Sequence, residues 1–316
     1  MGRLARTLLR RVGQTAIVAI LVASACFVAM QALPGDPALY AAAARYGDGH
    51  VTAANTAILR RESGLDRPIA VQYAAWMVEL ASGNLGRSFR TGEPVLDELL
   101  PRLRVTLTVG GWAAAVAVLL ALPLGILAGR RPGGAVDGSV AVLAALLASV
   151  PSFVAGTLLV ALLAVHLRWL PAAGAGSLAD LVLPAFTLAL ALLPGLARVV
   201  RHAVAGVAGA PYAIFARMRG VPAWRIALQV LARPAVIPIV SYLPVLAMQL
   251  IEGFITIELV FNLDGVGTLL VRSLLGRDLP VVMAAGIAFV LLLAAANALT
   301  DLFLYLLDPR RRAATR

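Results

Sequence analysis

The chain has 316 residues, of which 61% are hydrophobic and only 14% charged, with a mean hydropathy of +0.90. A soluble domain is nearer ~50% apolar and ~25% charged, so this composition excludes an ordinary soluble fold. The formal net charge is +11 and every one of the 27 basic residues is arginine. Basic residues flanking apolar runs set membrane orientation, which removes the need for a nucleic acid partner.

Six stretches reach the ~20 apolar residues needed to cross a bilayer. They are roughly Val12–Ala32, Val105–Gly129, Val140–Leu167, Leu181–Val200, Pro234–Leu259 and Leu279–Leu307. The sequence therefore predicts an all-α, polytopic membrane protein with six transmembrane helices.

Arg3, Arg6, Arg10 and Arg11 precede the first apolar run in the manner of a signal peptide. That run exceeds the ~7–15 residues of a signal core, and Leu33-Pro-Gly-Asp-Pro37 is a poor cleavage site, so a retained helix is expected. The single Cys26 lies inside it and leaves no internal disulfide. Residues 1–33 are thus read as the N-terminus and first span.

Leu33-Pro34-Gly35-Asp36-Pro37 stops the helix and turns the chain. Residues 34–104 follow, with charges of both signs and a helix-compatible stretch at Ile69–Leu80. This segment is too small for an enzyme with its own large core. It reads as a cap on the helix ends, with a docking surface for a soluble partner as a compatible role.

Gly129-Arg-Arg-Pro-Gly-Gly134 predicts a tight turn between the second and third spans. Pro151 interrupts the third span, and Pro184 and Pro194 the fourth; each frees a backbone carbonyl and bends its helix. His166 and His202 stand at span ends without metal-ligand spacing.

Pro211–Pro238 is the longest basic interruption in the second half, holding Arg217, Arg219, Arg225 and Arg233 and no acid. Pro211 can open a helix because a first-turn residue needs no amide donor. Gly220 suits a left-handed helix cap, and Pro222 blocks continuation. The pattern predicts about two turns of helix, a sharp turn, then a second helix running into Ile226–Leu231. A helix so short is marginal alone, so it must dock on something.

The fifth span carries Glu252 and Glu258, the only acids well inside an apolar stretch, with Gln249 a turn before Glu252. Gln249, Glu252 and Gly253 share one helical face. An intramembrane carboxylate is costly and faces protein or a water-filled cavity. Gln249 and Glu252 are therefore candidates for a translocation path, with an ion pair as the structural alternative. Glu258, nearer the helix end, reads as structural. In the last span Asn297 and Asp301 are four residues apart and can address one neighbouring helix.

With the N-terminus inside, the inner segments hold sixteen arginines against three acids, Asp137, Asp301 and Asp308. This asymmetry predicts that both termini and Pro211–Pro238 are cytoplasmic. The five later spans form a core over 105–308, with a cytoplasmic loop at about 201–233 and a basic tail at 309–316.

Several marks occur in order along these spans. They include Leu33-Pro-Gly-Asp-Pro-Ala38, Gly64-Leu-Asp-Arg-Pro68 with Val71-Gln-Tyr73, and Gly83-Asn-Leu-Gly-Arg-Ser88 leading to Pro94-Val95. Tyr212 to Gly220 with Ile237-Pro238, Glu258-Leu-Val-Phe261 with Gly265-Val-Gly267, Arg277-Asp278 before Pro280, and the ending Asp301, Tyr305, Leu307-Asp-Pro-Arg310 complete the set. The chain resembles, over nearly its whole length, the permease subunit of binding-protein-dependent ABC importers of the dipeptide, oligopeptide and nickel branch.

The resemblance implies a type I ABC importer-like permease fold in a bacterial-type inner membrane, with an extracytoplasmic segment after the first helix. It implies a second permease subunit, distinct from this one, two ATP-binding subunits and an extracytoplasmic solute-binding protein. It makes the loop between the fourth and fifth spans the EAA loop, or coupling helix, placing Tyr212, Ala213, Ala216, Arg217, Arg219 and Gly220 at the ATPase contact. The acid usual at that loop's start is here Ala210-Pro211, and an often polar position is Phe215.

The chain has no lysine and hence no G-x-x-x-x-G-K-[ST] loop. It is expected to be non-catalytic and to bind no metal or cofactor, with ATP and magnesium used by the partner ATPase. Short peptides are the expected cargo, with nickel or a metal chelate as the alternative. An ion-coupled secondary transporter would make Glu252 a relay but leaves the basic loop without purpose. An intramembrane hydrolase lacks a triad within the spans, and spans on both sides hold Arg217–Arg233 away from DNA.

Overall fold

A computed structural model describes residues 2–172, 174, 178–222, 225 and 232–307. The predicted second helix into Ile226–Leu231 and the basic tail lie outside the described residues. Within them the chain is helical, with a single isolated bridge between Arg87 and Pro94 as its only β pairing.

In order, the helices are α1 (Gly2–Ala32), α2 (Pro37–Tyr46), α3 (Ala53–Glu62), α4 (Ile69–Ala81), α5 (Val95–Arg130), α6 (Ala135–Ser149) and α7 (Ser152–Leu159).

 The last of these, α7, ends at Leu159 and continues as a π-helical stretch, Val160–His166. There follow α8 (Leu178–Ala208), α9 (Pro211–Met218), α10 (Ala232–Ser241), α11 (Leu243–Val260), α12 (Val266–Leu275) and α13 (Leu279–Leu307).

Among the described residues, five helical stretches are long and apolar enough to cross a membrane: Arg11–Ala32, Val95–Arg130, Ala179–Ala208, Pro234–Val260 and Leu279–Leu307. The third predicted span is broken, because α6 and α7 meet at 94°. Val150 is extended at the break, as a residue before proline tends to be, and Pro151 starts the next helix. Counting the bent pair as one span gives six. By contrast, Pro184 and Pro194 lie inside a continuous α8. The second predicted span begins earlier than its apolar run, as α5 adds a polar start with Asp97 and Glu98 in its first turn, where acids complement the helix dipole.

The chain divides into two compact units. One comprises Met1–Thr106 and Asp264–Leu292, so it takes in α1 to α4, the start of α5, α12 and the first half of α13. Its apolar centre joins Ala23, Phe27 and Met30 of α1 to Trp76 of α4 and to Leu279, Met283 and Ile287 of α13. A second cluster packs Val95 and Leu99 of α5 against Val266 and Leu269 of α12 and Val281, Ala284 and Ala285 of α13.

Polar ties fix the turns of this unit. Asp36 caps α2 by accepting from the Ala38 amide at 3.0 Å. The Arg277 guanidinium stacks on the Tyr40 ring at 4.1 Å and donates to the carbonyls of Leu33, at 3.3 Å, and Pro34. Next to it, the buried Asp278 carboxylate accepts from the Ser88 hydroxyl at 2.5 Å and from the amides of Phe89 at 3.1 Å and Arg90 at 3.3 Å. The two charged residues before α13 thus hold two separate turns of the 34–104 segment.

The other unit comprises Leu107–Leu263 and Leu293–Arg316. Its core joins Ala117 and Ala121 of α5, Leu192, Leu196 and Val200 of α8, and Leu246 of α11. Without lipid-water contrast to drive helices together, close approach depends on small residues. At Gly125 a methyl group would stand 2.5 Å from the Val200 Cβ and 2.8 Å from the Ala197 carbonyl oxygen. Gly125→Ala is therefore expected to destabilise the detergent-purified chain by about 1–3 kcal/mol through overpacking. Helix propensity alone predicts a gain of about 1 kcal/mol for the same change. A thermal-stability assay decides by sign, and a more stable variant would refute the close contact.

Candidate functional site

The short helix predicted after Pro211 forms as α9, eight residues long, directly after α8. Ala210 is extended at its N-cap, and its carbonyl accepts from the amides of Ala213 at 2.9 Å and Ile214 at 3.1 Å. Pro211 occupies the first turn, where no amide is needed.

The far end closes as a Schellman motif. The Val221 amide donates to the Ala216 carbonyl at 3.2 Å and the Gly220 amide to the Arg217 carbonyl at 2.9 Å. Gly220 has φ +73°, the left-handed conformation this cap requires. The cap satisfies carbonyls that an eight-residue helix would otherwise leave bare.

The faces of α9 differ sharply. Ala213 is fully buried and Ala216 half-buried, while Arg217 reaches back to the Ala208 carbonyl at the end of α8, 3.1 Å away. Tyr212, Ile214 and Phe215 are exposed, and Met218 is 82% exposed. Arg219 lies over the Phe215 ring at 5.7 Å, within cation–π range. Of the six residues assigned from the sequence, Ala213 anchors the helix, Arg217 ties it to α8, Ala216 accepts the capping bond and Gly220 ends the helix, whereas Tyr212 and Arg219 sit on its free surface. Ile214 and Met218 belong to that surface too; the periodic signal for them was an apolar face with no partner in the sequence around it.

The two acids of α11 separate by environment. Glu258 is 1% exposed, whereas Glu252 is exposed and has no hydrogen-bond or ion-pair partner among the described residues. Gln249 does not share its setting: it is half-buried, and its amide oxygen accepts from the Tyr242 hydroxyl at 3.3 Å. The structure therefore does not bring Gln249 and Glu252 into one polar group, although both lie on α11. Asn297, expected to address a neighbouring helix, donates instead to Leu293 on its own helix at 2.9 Å.

A further charged contact was not distinguished in the sequence. Asp137, in the first turn of α6, receives two bonds from the Arg201 guanidinium of α8, at 2.6 and 2.9 Å, and the Gly133 amide at 2.8 Å. This paired, planar geometry is the most specific form of arginine–carboxylate contact. It ties the turn at Gly133 to Arg201, seven residues before α8 ends at Ala208. Among the described residues no cluster of three or more His, Cys, Asp or Glu side chains is placed to hold a metal ion.

Comparison with known proteins matches residues 121–313 to the family described as binding-protein-dependent transport system inner membrane component. Residues 4–110 match the N-terminal region of such membrane components. A putative peptide transport system permease protein of Brucella abortus is 36% identical over 313 residues, covering 96% of this chain and 98% of the relative. The dipeptide transport system permease protein DppB of Lactococcus lactis is 30% identical over 306 residues, with the same coverage. The oligopeptide transport system permease protein AppB of Bacillus subtilis is 30% identical over 295 residues, covering 90% and 92%.

Proposed function

The chain belongs to the family of binding-protein-dependent transport system inner membrane components, and from that premise we propose that it is the permease subunit of an ATP-driven importer of di- or oligopeptides. The observation that carries the coupling role is α9: a capped two-turn helix whose Tyr212, Ile214, Phe215 and Met218 side chains are left uncovered. An amphipathic helix with such anchors fits a hydrophobic groove on a partner. The partner in this reading is a pair of ATP-binding subunits, which use ATP and magnesium while this chain performs no catalysis.

A second, similar permease completes the pathway and an extracytoplasmic solute-binding protein delivers the cargo. Both termini and α9 are cytoplasmic, as the arginine asymmetry favours. Closure of the ATPases then shifts the permease between two states through their different affinities for each. Peptide rather than nickel cargo is what the names of the relatives favour.

The test is co-purification followed by reconstitution. A second permease, an ATPase and a binding protein are expected to accompany the chain, and liposomes holding the assembly are expected to accumulate a labelled tripeptide only with ATP. Solute movement by the chain alone, without ATP, would overturn the reading.

In this reading Glu252 lines the translocation path; what supports it is that an exposed carboxylate on an apolar helix requires water or another protein beside it. Glu252→Gln is expected to slow peptide uptake roughly tenfold, the loss of one charge-assisted hydrogen bond, with ATP hydrolysis retained. Unchanged uptake kinetics would assign Glu252 to a structural contact with the second permease.

A further inference from the structure

The unit built from Met1–Thr106 and Asp264–Leu292 contains a cavity of about 720 Å³. This falls within the ~300–1,000 Å³ of small-molecule sites. Phe27, Trp76, Leu279 and Met283 line it with apolar surface and are themselves nearly buried. Charged groups of both signs surround that surface.

Two of the arginines are already engaged. Arg45 pairs with Glu62 at 3.3 Å, and Arg87 donates to the Gly92 carbonyl at 2.8 Å. Arg61, Arg67 and Glu79 also line the cavity, are exposed, and have no side-chain hydrogen bond or ion pair among the described residues. The uncommitted groups are thus two guanidinium ions and one carboxylate around an apolar floor.

From this set we infer that the cavity is a binding site for a zwitterionic short peptide. The inference rests on the peptide-importer reading, and adds a peptide site on the permease itself, lined by the segment proposed to face outward and by residues of the first and last spans. A guanidinium fork suits a terminal carboxylate, which it can hold through two parallel bonds. Glu79 complements a terminal ammonium group, and the Phe27 and Trp76 rings offer apolar contact to a side chain between the two termini. An anionic lipid would use the arginines and leave Glu79 opposed to its charge, so the mixed signs favour the zwitterion.

The experiment uses the assembled transporter in nanodiscs, without its binding protein. The probes are labelled alanyl-phenylalanyl-alanine, its C-terminal amide and its N-acetyl form. Saturable binding of the free peptide is expected, with each blocked form at least about tenfold weaker, as for loss of a charge-assisted bond. In Arg61→Ala/Arg67→Ala the free peptide should lose its advantage over the amide, and in Glu79→Gln its advantage over the acetylated form. These exposed side chains can be changed without disturbing the core, and retention of ATP hydrolysis checks assembly.

Absence of saturable binding, equal binding of the three probes, variants that keep both preferences, or a phospholipid retained in the cavity would each overturn the inference. Adding the binding protein and ATP to the same nanodisc preparation separates the two levels of the argument: peptide-stimulated ATP hydrolysis without cavity binding removes only the cavity site. No response of the complete assembly to any peptide removes the peptide reading and the inference with it.

Discussion

Gly220→Val is expected to abolish peptide uptake while leaving the chain inserted and its partners bound. Gly220 stands at φ +73° with nothing within 4 Å of where a Cβ would lie, so the effect is confined to the backbone. The left-handed conformation costs an L-residue about 1–2 kcal/mol, and a β-branched side chain is a conformational outlier there. The cheapest relief is to unwind the cap, breaking the Val221–Ala216 and Gly220–Arg217 bonds. That frees the last turn of α9 and redirects Phe215, Met218 and Arg219, the groups assigned to the ATPase groove. ATP hydrolysis should continue, uncoupled from transport. Asparagine tolerates the left-handed region better than other residues with side chains, so Gly220→Asn is expected to retain most uptake. Normal uptake in the valine variant would show that the turn has no part in coupling.

Asp278→Ala is expected to cost about 3 kcal/mol, the largest stability effect of any substitution considered. Its carboxylate is 1% exposed and receives three donors from Ser88, Phe89 and Arg90. Alanine leaves the buried Ser88 hydroxyl and the half-buried Phe89 and Arg90 amides without this acceptor, and a buried orphan costs about 1–3 kcal/mol, offset in part by water entry or by rotation of the serine hydroxyl. Asp278→Asn keeps one acceptor oxygen and should be milder. Thermal unfolding of the purified chain, with limited proteolysis of the 34–104 segment, reads both. Unchanged protection of that segment in the alanine variant would refute the clamp.

The same residue gives a pH dependence. Burial raises the Asp278 carboxyl above its ordinary value of 3.8, against the lowering effect of the bonds from Ser88, Phe89 and Arg90, and Glu98 adds a smaller upward push. In the window just above 3.8 the folded chain keeps a proton that the unfolded chain has released. The folded state binds more protons there, so stability falls as pH rises through the window. The contribution is fully present below the unfolded value and lost once pH passes the raised folded value. Measured as a difference from Asp278→Asn, this slope should be present in the parent chain alone.

The membrane class was legible because it depends on local sums. A run of apolar residues is costly in water whatever surrounds it, so span positions followed from composition along the chain. The last span, Leu279–Leu307, coincides with the helix found, and the fifth ends within one residue of the prediction. The boundaries of α9 were legible for a similar reason. Pro211 and Gly220 act through their own backbone, and the cap they predict is the one observed.

Hydropathy was less informative where a helix is polar at its start. The first ten residues of α5 lie outside the apolar run, yet their helix continues because Val95 and Leu99 pack on α12 and α13. The bend at Pro151 was expected, but its 94° angle was not readable from a proline alone, since Pro184 and Pro194 leave α8 continuous.

What the sequence determined by itself, then, is what each residue imposes on its own neighbourhood: six apolar stretches, the turn at Leu33–Pro37, and the short capped helix after Pro211. Tertiary structure decided which side of those elements is covered. It buries Glu258 and leaves Glu252 exposed, six residues away on one helix, and it turns Ala213 inward while Met218 remains free. It also joins Asp278 to Ser88 and Asp137 to Arg201, pairs separated by 190 and 64 positions. The physical reason is that a charge has no preferred partner until packing removes water from around it, and packing is set by residues far away in the chain.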